Sequence, residues 1–231
     1  MKSGPAKSTL AMEVRDRIRS DILAIRLHPG QRLMFADLSQ RYGASVGVTR
    51  EALTWLASQG LVQSTAHQGY VVTPLSVPDL SELTEARILI EPLVLRASFE
   101  SGDTAWEAAV LSAHHVLART PPPNYDQNLE EDAIDRWAET HAAFHDALVA
   151  ACPNKRLLKI VKQMHEEATM YRRWSVSLVS YHAESVGEHS SLLEAALCRD
   201  WESASGVLCD HYRHTMENLA DYAAKHPDER A

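Results

Sequence analysis

The most restrictive feature of this sequence is that it predicts β-strands in one short stretch and helices almost everywhere else. Residues 61–64 and 70–73 are short runs suited to strands, and the segment between them, which ends in Gly69, predicts a hairpin turn. From Ser76 onward the strand pattern disappears, and apolar residues recur at helical spacing. We therefore predict a mainly α protein.

The start of the chain predicts a winged helix-turn-helix domain at 11–74, preceded by a flexible N-terminus at 1–10. Apolar residues repeat at helical spacing in a first helix that ends before Gly30, and two further helices are predicted at 35–42 and 46–58. Glycine follows each of these helices within a few residues and favours a turn there. Three short helices followed by a hairpin are typical of the winged helix-turn-helix.

Residues 80–225 predict a second, all-helical domain of about six helices, joined by a linker at 75–79 and followed by a tail at 226–231. Ser76 and Asp79 resemble a capping box at the start of its first helix. Breaks rich in glycine, proline or asparagine separate the helices. The predicted helices are 80–98, 104–119, 128–151, 155–179, 183–199 and 201–224.

The composition is that of a globular protein. The chain has 231 residues, of which 45% are hydrophobic and 23% charged, and no segment approaches the ~18 consecutive apolar residues of a membrane helix. The N-terminus passes from small polar residues directly into charged ones and so lacks the apolar core of a signal peptide. We expect a cytoplasmic protein with no membrane partner, in which Cys152, Cys198 and Cys209 stay reduced.

The charge is distributed unevenly between the two predicted domains. The whole chain carries a net charge of -8, which by itself argues against a nucleic-acid partner. Residues 1–74, however, hold nine Lys and Arg against five Asp and Glu, a net +4, and the remainder holds a net -12. A basic first domain on an acidic second domain indicates that the first one binds nucleic acid.

Residues 29–62 resemble the DNA-binding head of the GntR family of bacterial repressors. That family's signature contains Pro-Gly, a small helix, an Arg-Glu-Ala-Leu run and Gly-Leu-Val, and Gly69 matches its wing. The resemblance implies a transcriptional regulator, most often a repressor, that binds a palindromic operator as a homodimer. The matching positions are Pro29, Gly30, Leu33, Leu38, Gly43, Ser45, Arg50, Glu51, Ala52, Leu53, Gly60, Leu61 and Val62.

Five residues are the predicted DNA contacts. The resemblance implies that Arg50 contacts DNA from the recognition helix, where a guanidinium can reach a guanine edge or a phosphate. Ser45 and Thr49 are expected to donate to phosphates, and His67 and Gln68 at the tip of the wing are expected to reach the minor groove. The alternative for Arg50 is a surface arginine paired with a neighbouring carboxylate.

The helical domain resembles, helix by helix, the FadR-type effector domain known as FCD. In metal-binding members, an aspartate and a histidine four residues apart on one helix join two histidines from later helices. His145, His189 and His211 match the three histidine positions, and His141 occupies the aspartate position. The resemblance therefore implies a metal held by these four histidines and a small organic acid as effector. The resembling segments are residues 83–98, 141–158, 187–200 and 202–219.

The two histidines that share a helix can also be interpreted from physical chemistry. His141 and His145 continue an apolar stripe, so both are expected to face the interior of the bundle. Buried imidazoles need partners, and a cation shared with His189 and His211 would provide one. Nitrogen ligands favour zinc, nickel or copper over magnesium or calcium, and zinc is the expected metal. Two alternatives remain: His141 only forms hydrogen bonds beside a three-histidine site, or the pair is a polar patch without metal.

Three arginines are candidates for holding the effector. Arg87 lies on an apolar stripe of its helix, and the resemblance implies that it binds an effector carboxylate. Arg172 and Arg173 are further candidates for the same pocket. The alternative for Arg87 is a structural ion pair with Glu91 or with another carboxylate of the bundle.

Two other functions compete with a metal-containing sensor. The first is a sensor of acyl-thioesters without metal, as occurs in the wider family. The second is a metal-dependent hydrolase or lyase, which would need an open coordination position and a general base. The sequence contains no HExxH motif, and an enzyme would leave the winged helix-turn-helix unexplained. We therefore predict a regulator that is not an enzyme.

Overall fold

The structure is a computed structural model that divides the chain into two units between Leu75 and Ser76. Most of the expected flexible N-terminus at 1–10 and the whole expected tail at 226–231 lie outside the described residues, although Leu10 begins the first helix. The structure describes residues 10–65, 69–121, 131–176 and 184–225.

The first unit is a winged helix-turn-helix, as predicted. Its elements are α1 (Leu10–Leu23), β1 (Arg32–Leu33), α2 (Phe35–Tyr42), α3 (Val46–Ser58), β2 (Val62–Thr65) and β3 (Gly69–Val72). The strands form an antiparallel sheet in the order β1-β3-β2, in which Leu33 pairs with Tyr70 and Val62 pairs with Val72. The sequence did not predict β1, because two residues carry no periodic pattern.

The recognition helix α3 is fixed by its apolar face and by the turn before it. From α1, Val14, Ile18 and Ile22 are buried at a spacing of four, and α1 packs against α3. Gly43 ends α2 in the left-handed conformation with φ 66°, which disfavours residues with a β-carbon. Ser45 then caps α3, which begins at Val46, three residues after Gly43, and Val46 and Gly47 are exposed.

The second unit contains six helices within the described residues, which agrees with the prediction. They are α4 (Val77–Ser101), α5 (Thr104–Arg119), α6 (Glu131–Val149), α7 (Lys155–Val176), α8 (Glu184–Cys198) and α9 (Trp201–Lys225). α4 packs against α6, α7 and α9, and Pro92 lies inside it. None of the helices in the described part of the chain is long and apolar enough to cross a membrane.

The start of α4 corrects the expected linker at 75–79, because the helix already begins at Val77. The hydroxyl of Ser76 caps it by accepting a hydrogen bond from the N–H of Asp79 at 3.2 Å. From α7, the hydroxyl of Tyr171 donates to the Asp79 carboxylate at 2.6 Å and accepts from the N–H of Ser76 at 3.2 Å. These bonds attach the beginning of α4, one residue after the boundary between the units, to α7.

Candidate metal centre and recognition helix

The four predicted metal ligands converge in the interior of the helical unit. His141 and His145 lie one turn apart on α6, His189 lies on α8 and His211 lies on α9, and all four side chains are buried. One ring nitrogen from each histidine lies within 4.8 Å of the nitrogens of the other three. Three helices thus bring together residues that are far apart in the chain.

The ring nitrogens of this cluster face one another. Nε2 of His189 lies 3.1 Å from Nε2 of His141 and 3.3 Å from Nε2 of His145. A neutral ring nitrogen offers one N–H or one lone pair, so these two contacts cannot both be ordinary hydrogen bonds. Both distances are close to the ~3.3 Å between two nitrogens bound to tetrahedral zinc with Zn–N bonds of about 2.0–2.1 Å. The four histidines therefore fit a transition-metal ion.

Burial favours the neutral form of three of the four imidazoles. It is the largest cause that lowers the pKa of His141 and of His145 well below the ordinary value, and the positive charge of Arg172 lowers the pKa of His141 further. Burial also lowers the pKa of His211, although the neighbouring Glu188 opposes this effect. A neutral imidazole has the lone pair that a metal ion requires.

Glu188 orients His211. Its carboxylate accepts a hydrogen bond from Nδ1 of His211 at 2.7 Å and another from Nδ1 of the exposed His214 at 3.0 Å. Because Nδ1 of His211 is the donor, Nε2 of the same ring keeps its lone pair for the cluster. The sequence interpretation did not include Glu188, although this residue directly precedes His189 and a carboxylate beside a metal-binding histidine is a common arrangement.

A buried ion pair between Arg87 and Glu91 lies beside the histidines. Nε of Arg87 donates to Glu91 at 2.6 Å, and Glu91 is only 1% exposed. The hydroxyl of Tyr212 also donates to this carboxylate, and the Tyr212 ring lies 3.6 Å from the guanidinium carbon of Arg87. Burial alone would raise the pKa of Glu91, but Arg87 and then His165 lower it below the ordinary value.

His165 extends this network to the surface. Its Nε2 lies 3.0 Å from Glu91 and its Nδ1 lies 2.9 Å from the exposed Asp146. Burial lowers the pKa of His165, but the two carboxylates outweigh burial and raise the pKa above the ordinary value. Both ring nitrogens therefore act as donors, and His165 is part of the buried network rather than a metal ligand.

A small cavity lies between α4, α7 and α9, next to the four histidines. Its volume is about 20 Å³, enough for roughly one water molecule. Arg87, Arg172 and His211 contribute to its polar lining. The structure thus brings two of the three predicted effector arginines to one cavity, whereas Arg173 forms an ion pair with Asp135 of α6.

Arg50 lies on the exposed side of α3. Its guanidinium carbon lies 4.8 Å from the ring centroid of Phe35, a cation–π contact, and within the described residues Arg50 forms no ion pair. The Phe35 ring packs edge-on against Tyr70 of the wing at 5.9 Å, and the Tyr70 hydroxyl lies 3.0 Å from that of Thr54. The sequence interpretation missed these three supporting residues.

The other predicted DNA contacts have different positions. Ser45 is exposed, and its hydroxyl oxygen accepts from the N–H of Val48, so its proton remains available to a phosphate. Thr49 is fully buried and donates to the carbonyl of Ser45 at 3.1 Å. A side chain without exposed surface cannot reach a phosphate, so the prediction for Thr49 is wrong. His67 and Gln68 lie outside the described residues.

Each of the two units matches a known protein family. Residues 10–72 match the model of the bacterial regulatory proteins of the gntR family, and residues 82–214 match the FCD domain. The chain is 35% identical over 210 residues to the HTH-type transcriptional regulator BphR of Paraburkholderia xenovorans, covering 89% of this chain and 83% of that one. It is 30% identical over 198 residues to the HTH-type transcriptional repressor GlaR of Escherichia coli, covering 84% and 88%.

A solved structure has the same fold. E. coli McbR/YncC superposes with a TM-score of 0.75 at 18% identity, covering 93% of this chain and 98% of that one. The relatives with matching sequences are transcriptional regulators rather than enzymes. With a DNA-binding unit and an FCD domain that each match a family model, the chain belongs to the GntR family of bacterial transcriptional regulators.

Proposed function

We propose that this regulator binds its operator as a homodimer and senses a small carboxylate through a metal in its helical unit. The ligands are His141, His145, His189 and His211, and zinc is the expected ion, with nickel as an alternative. The observation that carries the proposal is the convergence of four buried imidazoles whose nitrogens face one another.

The charge of the site favours an anionic effector. Four neutral imidazoles leave the charge of a divalent ion uncompensated, because all four lone pairs come from nitrogen. Arg172 adds a further positive charge close enough to lower the pKa of His141 and of His211. A small carboxylate would neutralise part of this charge, since a metal and a guanidinium both bind carboxylate oxygens well. When bound, the ion would supply a positive charge for that carboxylate, which would bind it directly only as a ligand beyond the four histidines.

Two arginines that line the cavity, Arg87 and Arg172, are the proposed anchors for such an anion. Arg87 lines the same cavity but already pairs with Glu91, so a carboxylate would have to compete with a buried partner at 2.6 Å. Arg172 lies on α7 and is held by a hydrogen bond to Thr169 at 2.7 Å, on its own helix. We propose that the effector contacts both arginines and competes with Glu91 for Arg87.

The size of the cavity gives a mechanism for sensing. A cavity of about 20 Å³ does not hold a carboxylic acid, so the effector must separate the walls contributed by α4, α7 and α9. Tyr171, one of the lining residues, also bonds to Ser76 and Asp79 at the start of α4. Movement of α7 would therefore reach the point where the chain enters the DNA-binding unit. The effector shifts DNA affinity only if it binds the two states unequally.

The first unit supplies the DNA contacts. Arg50 is exposed on the recognition helix and supported by Phe35, and Ser45 offers its hydroxyl at the start of that helix. One recognition helix reads only a few base pairs, and helix-turn-helix proteins gain specificity by pairing two copies on a palindromic site. A homodimer on a palindromic operator follows from this limit.

Measurements of metal content and thermal stability test the proposed metal site. The purified full-length protein should contain about one zinc equivalent per chain, and a chelator should lower its melting temperature. Binding to the folded state alone contributes about 2.7 kcal/mol at a hundredfold excess of metal over Kd. His145→Ala should abolish both the metal and the response to chelator, whereas His115→Ala, at an exposed position on α5, should change neither. A protein without stoichiometric transition metal, whose melting temperature ignores zinc and chelator, would refute the site.

A further inference from the structure

The outer face of α4 exposes apolar side chains in the middle of a charged stripe. Leu89 is 72% exposed and Leu93 is 61% exposed, more than any other large apolar side chain in the described part of the chain. Residues three and four apart share a helix face, so further exposed residues of α4 continue the stripe. We call it the α4 stripe; it consists of Glu82, Glu85, Leu89, Leu93, Arg96 and Glu100.

The α4 stripe is complementary to itself. Leu89 and Leu93 are centred on position 91, and Glu85 and Arg96 are centred between positions 90 and 91. A twofold axis through this point would therefore cross two antiparallel copies of α4 so that each Leu89 meets the partner's Leu93. The same axis places each Glu85 opposite the partner's Arg96. An interface with twofold symmetry requires this kind of self-complementary pattern.

The charged ends of the stripe are compatible with this arrangement. Arg96 is held in place by Glu100 at 2.8 Å and by the Trp201 ring, whose centroid is 4.7 Å from its guanidinium carbon. Only Nε of Arg96 bonds to Glu100, so the terminal amino groups can still donate to a second carboxylate. Within the described residues Glu85 forms no ion pair. The same axis also places each Glu82 opposite the partner's Glu100, but these like charges lie about 14 Å from the midpoint, where crossing helices diverge and water screens the repulsion.

We propose that the α4 stripe is the surface on which a second copy of this chain packs, with α4 antiparallel to the partner's α4 about a twofold axis near position 91. This proposal rests on the homodimer of the proposed function and specifies the face that forms it. A different protein would not need the apolar pair and the charged pair to share one midpoint. An anionic lipid surface would be repelled by Glu82, Glu85 and Glu100.

The first test replaces one leucine of the stripe. Leu89→Glu should raise the dimer dissociation constant at least about tenfold, because it places a carboxylate into the apolar contact twice. Light scattering and sedimentation of the full-length protein measure this change, and circular dichroism verifies the fold. The control is Leu111→Glu, since Leu111 is 49% exposed on α5 of the same unit. A Leu89→Glu variant that stays as dimeric as the control overturns the proposal.

The second test uses charge reversal, which does not depend on the apolar contact. Glu85→Arg and Arg96→Glu should each weaken the dimer by placing like charges opposite one another, and the double variant should recover much of the loss. A double variant no tighter than the weaker single variant overturns the proposed pairing. A wild-type chain that is monomeric at micromolar concentration would refute the dimer of the proposed function as well. A wild-type dimer that none of these variants weakens would refute only the α4 stripe.

Discussion

The two units of this regulator place their polar chemistry in opposite locations. Of the ten polar or charged residues that are buried within the described part of the chain, only Thr49 belongs to the DNA-binding unit. The helical unit buries the other nine, among them Arg87, Glu91 and five histidines. The DNA-binding unit instead displays its polar chemistry on the surface, with Arg50 on the outside of α3.

Because of this difference, we expect stability and binding to be independent in the DNA-binding unit and coupled in the helical unit. An exposed arginine on an apolar scaffold can be removed without affecting the packing beneath it. A buried charge, in contrast, is tolerated only while its partners remain, because an unpaired charge in the interior is strongly destabilising. We therefore expect substitutions at the DNA-contacting surface to change binding alone. Substitutions in the interior of the helical unit should change ligand binding and folding together.

The largest expected effect comes from breaking the buried ion pair. Glu91→Gln removes the negative charge that Arg87 and His165 face, and leaves their positive charges in the interior. We expect the helical unit to lose about 3–5 kcal/mol of unfolding free energy. Denaturant unfolding followed by circular dichroism measures this loss.

A matched pair on the same helix provides the control. Arg96 and Glu100 also lie four residues apart on α4, but both are more than half exposed. Glu100→Gln should leave the unfolding free energy almost unchanged, because exposed ion pairs contribute little. If the two substitutions had equal effects, burial would not explain the contrast between the units.

The second prediction concerns the surface of the DNA-binding unit. Arg50→Ala should weaken operator binding by about 1–3 kcal/mol and leave the melting temperature unchanged. Fluorescence anisotropy at fixed salt can measure this on a duplex that the wild-type protein selects from a random pool. Arg119→Ala removes the same charge from exposed α5 and serves as the control. Equal affinity of the Arg50 variant and the wild type would remove Arg50 from the interface.

The third prediction concerns the polar network that the DNA-binding unit does possess. Asp21 of α1 accepts from the Tyr42 hydroxyl at 2.6 Å, from Arg41 at 2.7 Å and from Arg26 at 2.9 Å. Burial raises the pKa of Asp21, but these partners outweigh burial and lower it. Because the network is partly exposed, Asp21→Asn should cost only about 1.5 kcal/mol.

The same network predicts a dependence on pH. The pKa of Asp21 is lower in the folded state, so its contribution to stability is fully present above its unfolded pKa of about 3.9. It should be lost as pH falls through the folded value. Hydrogen exchange of α1 amides between about pH 5 and pH 3 can follow this loss, which should be absent in Asp21→Asn. The exposed Asp16 on the same helix is the control, and Asp16→Asn should behave like the wild type.

The smallest expected effect is a change of metal preference. If the proposed metal site is correct, His141→Asp places a carboxylate beside three histidines, and we expect the variant to keep the metal and its stability. An oxygen ligand should make manganese more competitive against zinc. Competition of the two ions, followed by elemental analysis, measures the shift. A variant that loses all metal would show that the interior tolerates only the imidazole at this position.

The sequence predicted the helices well and their ends less well. Helical spacing and the capping residue Ser76 predicted α4, but the helix starts at Val77 rather than at position 80 because Pro78 is well suited to a first turn. The predicted first strand of the hairpin was displaced by one residue, since β2 is Val62–Thr65. β1 was missed altogether, because it exists only through pairing with β3, which local patterns do not record.

Residue types and the family resemblance predicted part of the candidate metal centre but not its network of hydrogen bonds. The four histidines came together as expected, and the pairing of Arg87 with Glu91 was one of two alternatives. The contacts of His165 with Glu91 and Asp146 join three helices, so no single stretch of sequence contains them. The burial of Thr49 also depends on packing, because its position on α3 only becomes clear when α2 lies against it.

Pro92 creates a point inside α4 at which the helix can bend. Proline lacks the N–H that would bond to the carbonyl of Ile88, so α4 is weakest one turn after Arg87. The N-terminal end of α4 lies fifteen residues before Pro92, about 22 Å along the helix axis. A bend of about 5° at the proline would displace that end by about 2 Å. If effector binding widened the cavity beside Arg87 as proposed above, a bend of this size at Pro92 would displace the first residues of α4 from their place against α7.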